Sequence, residues 1–144
     1  MIEQDTVKLL RECDAGVKMG VSSINEVLEY VSASGLRDRL AECASEHEQL
    51  GDEIKRLLDN CHDRGKDPNP IAKGMSWVKT TAKLAVNESD AAIADLMTDG
   101  CNMGVKSLSR YLNQYRAADE SSKDIAKRLI NQEEKLAAGI RSFL

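Results

Sequence analysis

The chain has 144 residues, of which 42% are hydrophobic and 31% are charged, a composition typical of a globular domain rather than of a disordered segment. Aromatic residues make up only 3% and there are two prolines, which favours helices over a β-sandwich. With 24 acidic and 20 basic residues, the chain lacks the positive field that binds nucleic acid or anionic lipid. We therefore expect one all-α domain over residues 1–144, with no nucleic-acid and no membrane partner.

Localisation and redox state are predicted from simple patterns. The first residues, MIEQD, contain no basic cluster followed by an apolar run, and no stretch approaches 18 consecutive apolar residues. A cytoplasmic protein is expected. The four cysteines have no C-x-x-C spacing and fall within helical patterns, which predicts reduced thiols in the core: Cys13, Cys43, Cys61 and Cys101.

The first half of the chain predicts two long helices. Apolar residues recur at alternating steps of three and four over residues 5–33 and again over residues 36–62. Asp14 and His47 are polar residues within these two apolar patterns. Because residues 32–35 form only a short connection, the two helices are predicted to pack antiparallel as a hairpin.

A break follows at residues 63–70, which hold both prolines. Asn69 before Pro70 predicts an N-cap and the start of a short helix over residues 70–85. Two further long helices are predicted, one from Asn87 to about residue 116 and one from Asp119 to the C-terminus.

The chain also contains an internal repeat. The run MGVSSI at 19–24 recurs as MGVKSL at 103–108, an offset of 84 residues, and Gly16 maps onto Gly100 at the same offset. The second helix maps onto the last at an offset of 86, which relates Ile54 to Ile140. A duplicated hairpin with a long connection predicts a four-helix bundle with one crossover and a pseudo-twofold axis.

Four short motifs carry a resemblance to a known family. They are KMG at 18–20, GMSWVK at 74–79, SDAAIA at 89–94 and MGV at 103–105. The motifs are spread over most of the chain. In them the chain resembles bacterial ferritin-like proteins of unknown function. The resemblance implies a ferritin-like four-helix bundle with one short extra helix between helices two and three. It implies no activity.

A di-iron centre of the ferritin-like type needs a Glu from each of two helices and a Glu-x-x-His pair from each of the other two. The second helix contains His47 near several glutamates, but none of them stands three residues before it. The last helix contains no histidine, and glycines stand near the places where helices one and three would supply carboxylates. The sequence therefore predicts no cofactor, and in particular no intact di-iron centre.

Helices one and three each carry a G-x-x-x-G pair, formed by Gly16, Gly20, Gly100 and Gly104. Glycine inside a helix costs about 1 kcal/mol relative to alanine, so four of them indicate a structural need. Close helix packing is the simplest explanation. The alternative is a pocket kept open by the missing side chains, with Met19 and Met103 at its edges.

His47 and Glu133 are related by the offset of 86, and counting through the hairpin turns places both level with the glycines. If both side chains are buried, we expect them to form a hydrogen-bonded pair, because burying either one without a partner costs several kcal/mol. Two alternatives remain: one of them is exposed, or the pair belongs to a mononuclear metal or proton-transfer site. Asp14, about two turns away, is a weaker candidate ligand.

No hydrolase triad or phosphate-binding loop is found in the sequence. The leading expectation is a non-catalytic bundle that acts as a binding or structural protein for an unknown protein or small-molecule partner. The alternative is a metal-binding or redox protein with a degenerate interior site, using His47 and Glu133 with Asp14, Cys43 or Met103.

The predicted short helix carries Met75, Trp77 and Val78, whose apolar side chains lie outside the four long helical patterns. Tryptophan and methionine are enriched in the centres of interfaces. These residues therefore predict a homodimer interface. The alternative is that the short helix covers one end of its own bundle.

Overall fold

A computed structural model describes residues 3–67 and 89–144, which form four long helices and, within those ranges, no β-strand. The helices are α1 (Gln4–Leu28), α2 (Ser34–Asn60), α3 (Asp90–Gln114) and α4 (Glu120–Gly139), followed by a 3-10 turn, Arg141–Phe143. The predicted all-α fold is confirmed. None of these helices is long and apolar enough to cross a bilayer.

Two predicted helix bounds are wrong by several residues. The first helix ends at Leu28 rather than near residue 33, and the last ends at Gly139, before the 3-10 turn. After α1 the backbone N–H groups of Ser32 and Ala33 donate to the Asp90 carboxylate, both at 2.8 Å, instead of extending the helix. The predicted short helix over 70–85, with Met75, Trp77 and Val78, lies outside the described residues, as does the predicted cap Asn87.

The helices pack as two antiparallel hairpins, α1 with α2 and α3 with α4, and α1 also lies beside α3 while α2 lies beside α4. Two ion pairs show how α2 and α4 run relative to each other. Arg128 of α4 binds Glu53 of α2 at 2.8 Å, and Lys135 of α4 binds Glu42 of α2 at 3.1 Å. Residue number rises along one helix as it falls along the other, so α2 and α4 are antiparallel.

Two matching contacts fix α1 against α3. At one end Asp90, in the first turn of α3, accepts from the α1–α2 loop. At the other end Asp5, in the first turn of α1, accepts from the backbone N–H of Ala117 in the α3–α4 loop at 3.0 Å. Each carboxylate satisfies loop amides at the positive end of a helix dipole. Because α1 and α3 are antiparallel, α2 and α3 run the same way, and residues 61 and 89 lie at opposite ends of the bundle.

The core is divided into two apolar clusters, one in each half of the bundle. The apolar pattern predicted for the first helix left out two residues that the structure buries completely, Leu9 and Val27. Steps of three and four select a single narrow apolar stripe along the helix, whereas α1 contacts all three other helices and therefore buries a wider face.

The expectation for the cysteines holds in part. All four are free thiols, and Cys13, Cys43 and Cys101 are buried. Cys61 is only half-buried and is not a core residue, because it is the C-cap of α2, where the chain turns away through His62 at a φ of 55°.

Candidate functional site

A cavity of about 350 Å³ lies between α1 and α3 at the middle of the bundle. The four glycines of the G-x-x-x-G pairs line it: Gly16, Gly20, Gly100 and Gly104. Side chains from α4 approach two of them, since a Cβ atom at Gly16 would lie 3.6 Å from Leu129 Cδ2 and one at Gly104 would lie 3.5 Å from Glu133 Cδ. The four glycines thus line a cavity, and two of them also lie close to side chains of α4.

The floor of the cavity is the pair of His47 from α2 and Glu133 from α4. His47 Nε2 lies 2.9 Å from Glu133 Oε1, and the imidazole is 1% exposed. The hydrogen bond expected from the sequence is therefore present. It links the two hairpins at the boundary between the two apolar clusters.

The second ring nitrogen of His47 also has a partner. Its Nδ1 lies 3.6 Å from the sulfur of Cys43, one helical turn earlier in α2. Burial by itself would lower the pKa of His47, but the hydrogen bonds with Cys43 and with the Glu133 carboxylate outweigh it and raise the pKa to about 10. At neutral pH the ring is an imidazolium, whose two N–H groups donate to the carboxylate and to the sulfur.

Gly20 holds the imidazole from the side of α1. A Cβ atom at this position would lie 2.8 Å from His47 Cδ2 and 3.1 Å from Nε2, closer than van der Waals contact allows. The ring therefore occupies the space that a side chain at position 20 would need.

A second thiol, Cys101 of α3, interacts with the Glu133 carboxylate. It is 1% exposed, and burial together with the negative charge of Glu133 raises its pKa, which keeps it protonated. Cys101 is thus a neutral thiol beside the buried ion pair.

The walls of the cavity are mainly apolar, with polar groups at the rim. Met97 and Leu108 are buried, and Met103, 55% exposed, stands at the edge. At the rim Lys66 forms an ion pair with Glu12. Such a cavity suits a small molecule that is mostly apolar and carries a polar group.

Asp14 is buried elsewhere, beneath the segment that follows α2. Its carboxylate accepts from the backbone N–H of Lys66 at 2.9 Å and pairs with Lys18 Nζ at 2.9 Å. The structure therefore brings His47 and Glu133 together and places Asp14 apart from them, where it fixes the start of the α2–α3 connection.

The arrangement offers few metal ligands. In the part of the chain that the structure describes, no three His, Cys, Asp or Glu side chains are grouped so as to hold a metal ion. Both His47 nitrogens and one Glu133 oxygen already have hydrogen-bonding partners.

Sequence reasoning named Cys43 only as a minor candidate and did not connect Cys101 with the site. One signal was available for Cys43, because residues four apart on a helix are neighbours and Cys43 precedes His47 by four. No comparable signal existed for Cys101, which reaches Glu133 only because α3 packs against α4.

Comparison with known proteins adds no family assignment: no protein-family model, no curated protein and no solved structure matches this chain.

Proposed function

We propose that this protein is a non-catalytic, ferritin-like bundle that binds a small molecule in the cavity between α1 and α3. The observation that carries the proposal is the cavity itself, about 350 Å³ lined by four glycines on facing helices. Glycine weakens helices, so its presence at four cavity positions is explained if the space is used.

Two features support the ferritin-like part of the proposal. The parallel course of α2 and α3 requires their connection to pass from one end of the bundle to the other, as in a bundle with one long crossover. The loop contacts also follow the repeat. Ala33 donates to Asp90 and Ala117 donates to Asp5, and the two alanines are 84 residues apart, which is the repeat offset.

The chemistry of the floor explains why we propose binding rather than di-iron chemistry. The middle layer holds a single imidazole, and it is satisfied by a carboxylate and a thiol. A ferritin-like di-iron centre requires two histidines and four glutamates that point inward. Gly20 and Gly104 stand beside His47 and Glu133, where two of those glutamates would be needed.

The lining defines the class of ligand. Methionine and leucine side chains form the walls, and the flexible thioethers of the methionines adapt to different shapes. Ser23, Ser107 and Tyr111 add hydroxyl groups to the lining. We therefore propose an uncharged, mostly apolar ligand with one hydrogen-bonding group.

Indole is a suitable probe, because it is apolar, small enough for the cavity and has one N–H group. Isothermal titration and thermal unfolding with indole should show saturable binding and a rise in Tm with indole concentration. In Gly100→Leu the new side chain fills the cavity, and binding should be lost.

Asn102→Leu is the matched control, since it adds the same side chain to an exposed position of the same helix. It should bind indole like the wild type. Failure of the wild type to bind indole and benzene at millimolar concentration would overturn the proposal, as would unchanged binding in Gly100→Leu.

A further inference from the structure

Cys43 has a contact that ligand binding does not require. Its sulfur lies 3.6 Å from Nδ1 of His47, and it lines the cavity although only 6% of the residue is exposed. An imidazolium beside a sulfur stabilises the thiolate, which is the reactive form of cysteine.

The rest of the site holds the imidazole in the position that this requires. Glu133 binds Nε2 at 2.9 Å, which leaves Nδ1 directed at the sulfur. Gly20 of α1 has no side chain and therefore leaves room for the imidazole ring. Thiol, imidazole and carboxylate thus form a line in the order in which nucleophile, base and orienting group stand in cysteine-activating sites.

The other buried cysteines lie in different surroundings. Burial and the charge of Glu133 raise the pKa of Cys101, and burial with the charges of Glu12 and Asp14 raises the pKa of Cys13 to about 12. Both remain thiols at neutral pH, so they are internal references for the reactivity of Cys43.

We infer that Cys43 is an oxidation site, where hydrogen peroxide that enters the cavity converts its sulfur to a sulfenic acid. The sulfur of Cys43 attacks one peroxide oxygen, an S–O bond forms and the O–O bond breaks. The leaving hydroxide takes the Nδ1 proton of His47 and departs as water. Cys43 loses two electrons and the peroxide gains them.

This is a single modification of the protein and not a turnover reaction. It depends on the contacts of Cys43 and on access through the cavity, and it does not depend on a resident ligand. Failure of indole binding would therefore leave it unaffected.

The test uses the reduced full chain, treated with hydrogen peroxide in the presence of dimedone, which traps sulfenic acids. Mass spectrometry then gives the labelling rate at each cysteine. Cys43 should be labelled at least tenfold faster than Cys13 and Cys101. A smaller ratio in the wild type overturns the inference.

His47→Gln tests the role of the imidazole and should lower the rate at Cys43 at least tenfold while the rate at Cys61 stays the same. The matched control is His62→Gln, which removes the exposed second histidine of the chain and should leave Cys43 unchanged. An unchanged rate in a folded His47→Gln variant contradicts the inference.

If His47→Gln does not fold, which faster labelling of Cys13 would reveal, the labelling rates of the wild type decide. A rate at Cys43 that is less than tenfold above the rate at Cys101 overturns the inference.

Discussion

The two hairpins present different chemistry at positions that the sequence offsets relate to one another. The first contributes Gly20 and His47, and the second contributes Gly104 and Glu133 at offsets of 84 and 86. A Cβ atom at Gly20 would lie 2.8 Å from the imidazole, whereas one at Gly104 would lie 3.5 Å or more from the carboxylate side chain. The same glycine position is crowded in one hairpin and has room in the other.

The difference follows from the shapes of the two polar side chains. The imidazole of His47 is a rigid ring held at both nitrogens, so it cannot yield to a neighbour without breaking a hydrogen bond. The side chain of Glu133 has three rotatable bonds and is partly exposed, so it can adjust. Equivalence in sequence therefore does not mean equal tolerance to substitution.

The largest effect is expected when Glu133 is removed. Glu133→Ala leaves the His47 imidazolium buried without its carboxylate, which should lower the free energy of unfolding by about 3 kcal/mol. Denaturant unfolding measures this. The neighbouring Glu134 is exposed, so Glu134→Ala should change stability by less than about 0.5 kcal/mol. Equal losses in both variants would show that the buried pair has no special role.

The charge of the pair predicts a pH dependence. Folding raises the pKa of His47 from its ordinary value of about 6.5 to about 10, so its stabilisation is complete below pH 6.5 and is lost as pH rises through 10. The stability difference between wild type and His47→Gln should therefore shrink by about 3 kcal/mol between pH 7 and pH 9.5. The titratable groups that contact the ring are Glu133 and Cys43. A constant difference over this range would mean that the ring is neutral.

Alanine at the two central glycines tests the comparison directly. Gly20→Ala should cost about 1–3 kcal/mol, because the methyl group displaces the His47 ring. Gly104→Ala should stabilise the protein by about 0.5–1 kcal/mol, because alanine favours the helix and only ordinary contacts form. Unfolding midpoints in urea measure both. Equal effects of the same sign would contradict the asymmetry.

The smallest effects are expected at the bundle ends, where the two hairpins are alike. Asp5→Ala and Asp90→Ala each remove a carboxylate that accepts from loop amides at a helix N-terminus, at a cost of about 1 kcal/mol apiece. Asp99→Ala, at an exposed position within α3, is the control and should change stability by less than about 0.5 kcal/mol. If only one of the two end substitutions destabilises, the hairpins differ at the ends as well.

The sequence predicted the contact between His47 and Glu133 at the middle of the bundle, but it did not predict several of the residues packed around them. The contact of His47 with Glu133 followed from two regular helical patterns and short turns, which fix how far each residue lies from the bundle end. Leu9 and Val27 were missed because a single seam does not describe a helix with three neighbours. Cys101 was missed because its contact with Glu133 depends on how α3 is rotated against α4.

The sequence by itself determined the number of long helices, their pairing into hairpins and the level at which the polar residues meet. These properties depend on local periodicity and on connection length, which are written along the chain. Tertiary structure decided the width of the buried face of α1, the placing of Asp14 apart from His47, and the use of the glycines around a cavity. Those properties depend on the rotation and separation of neighbouring helices, which are set by the packing of all four helices together.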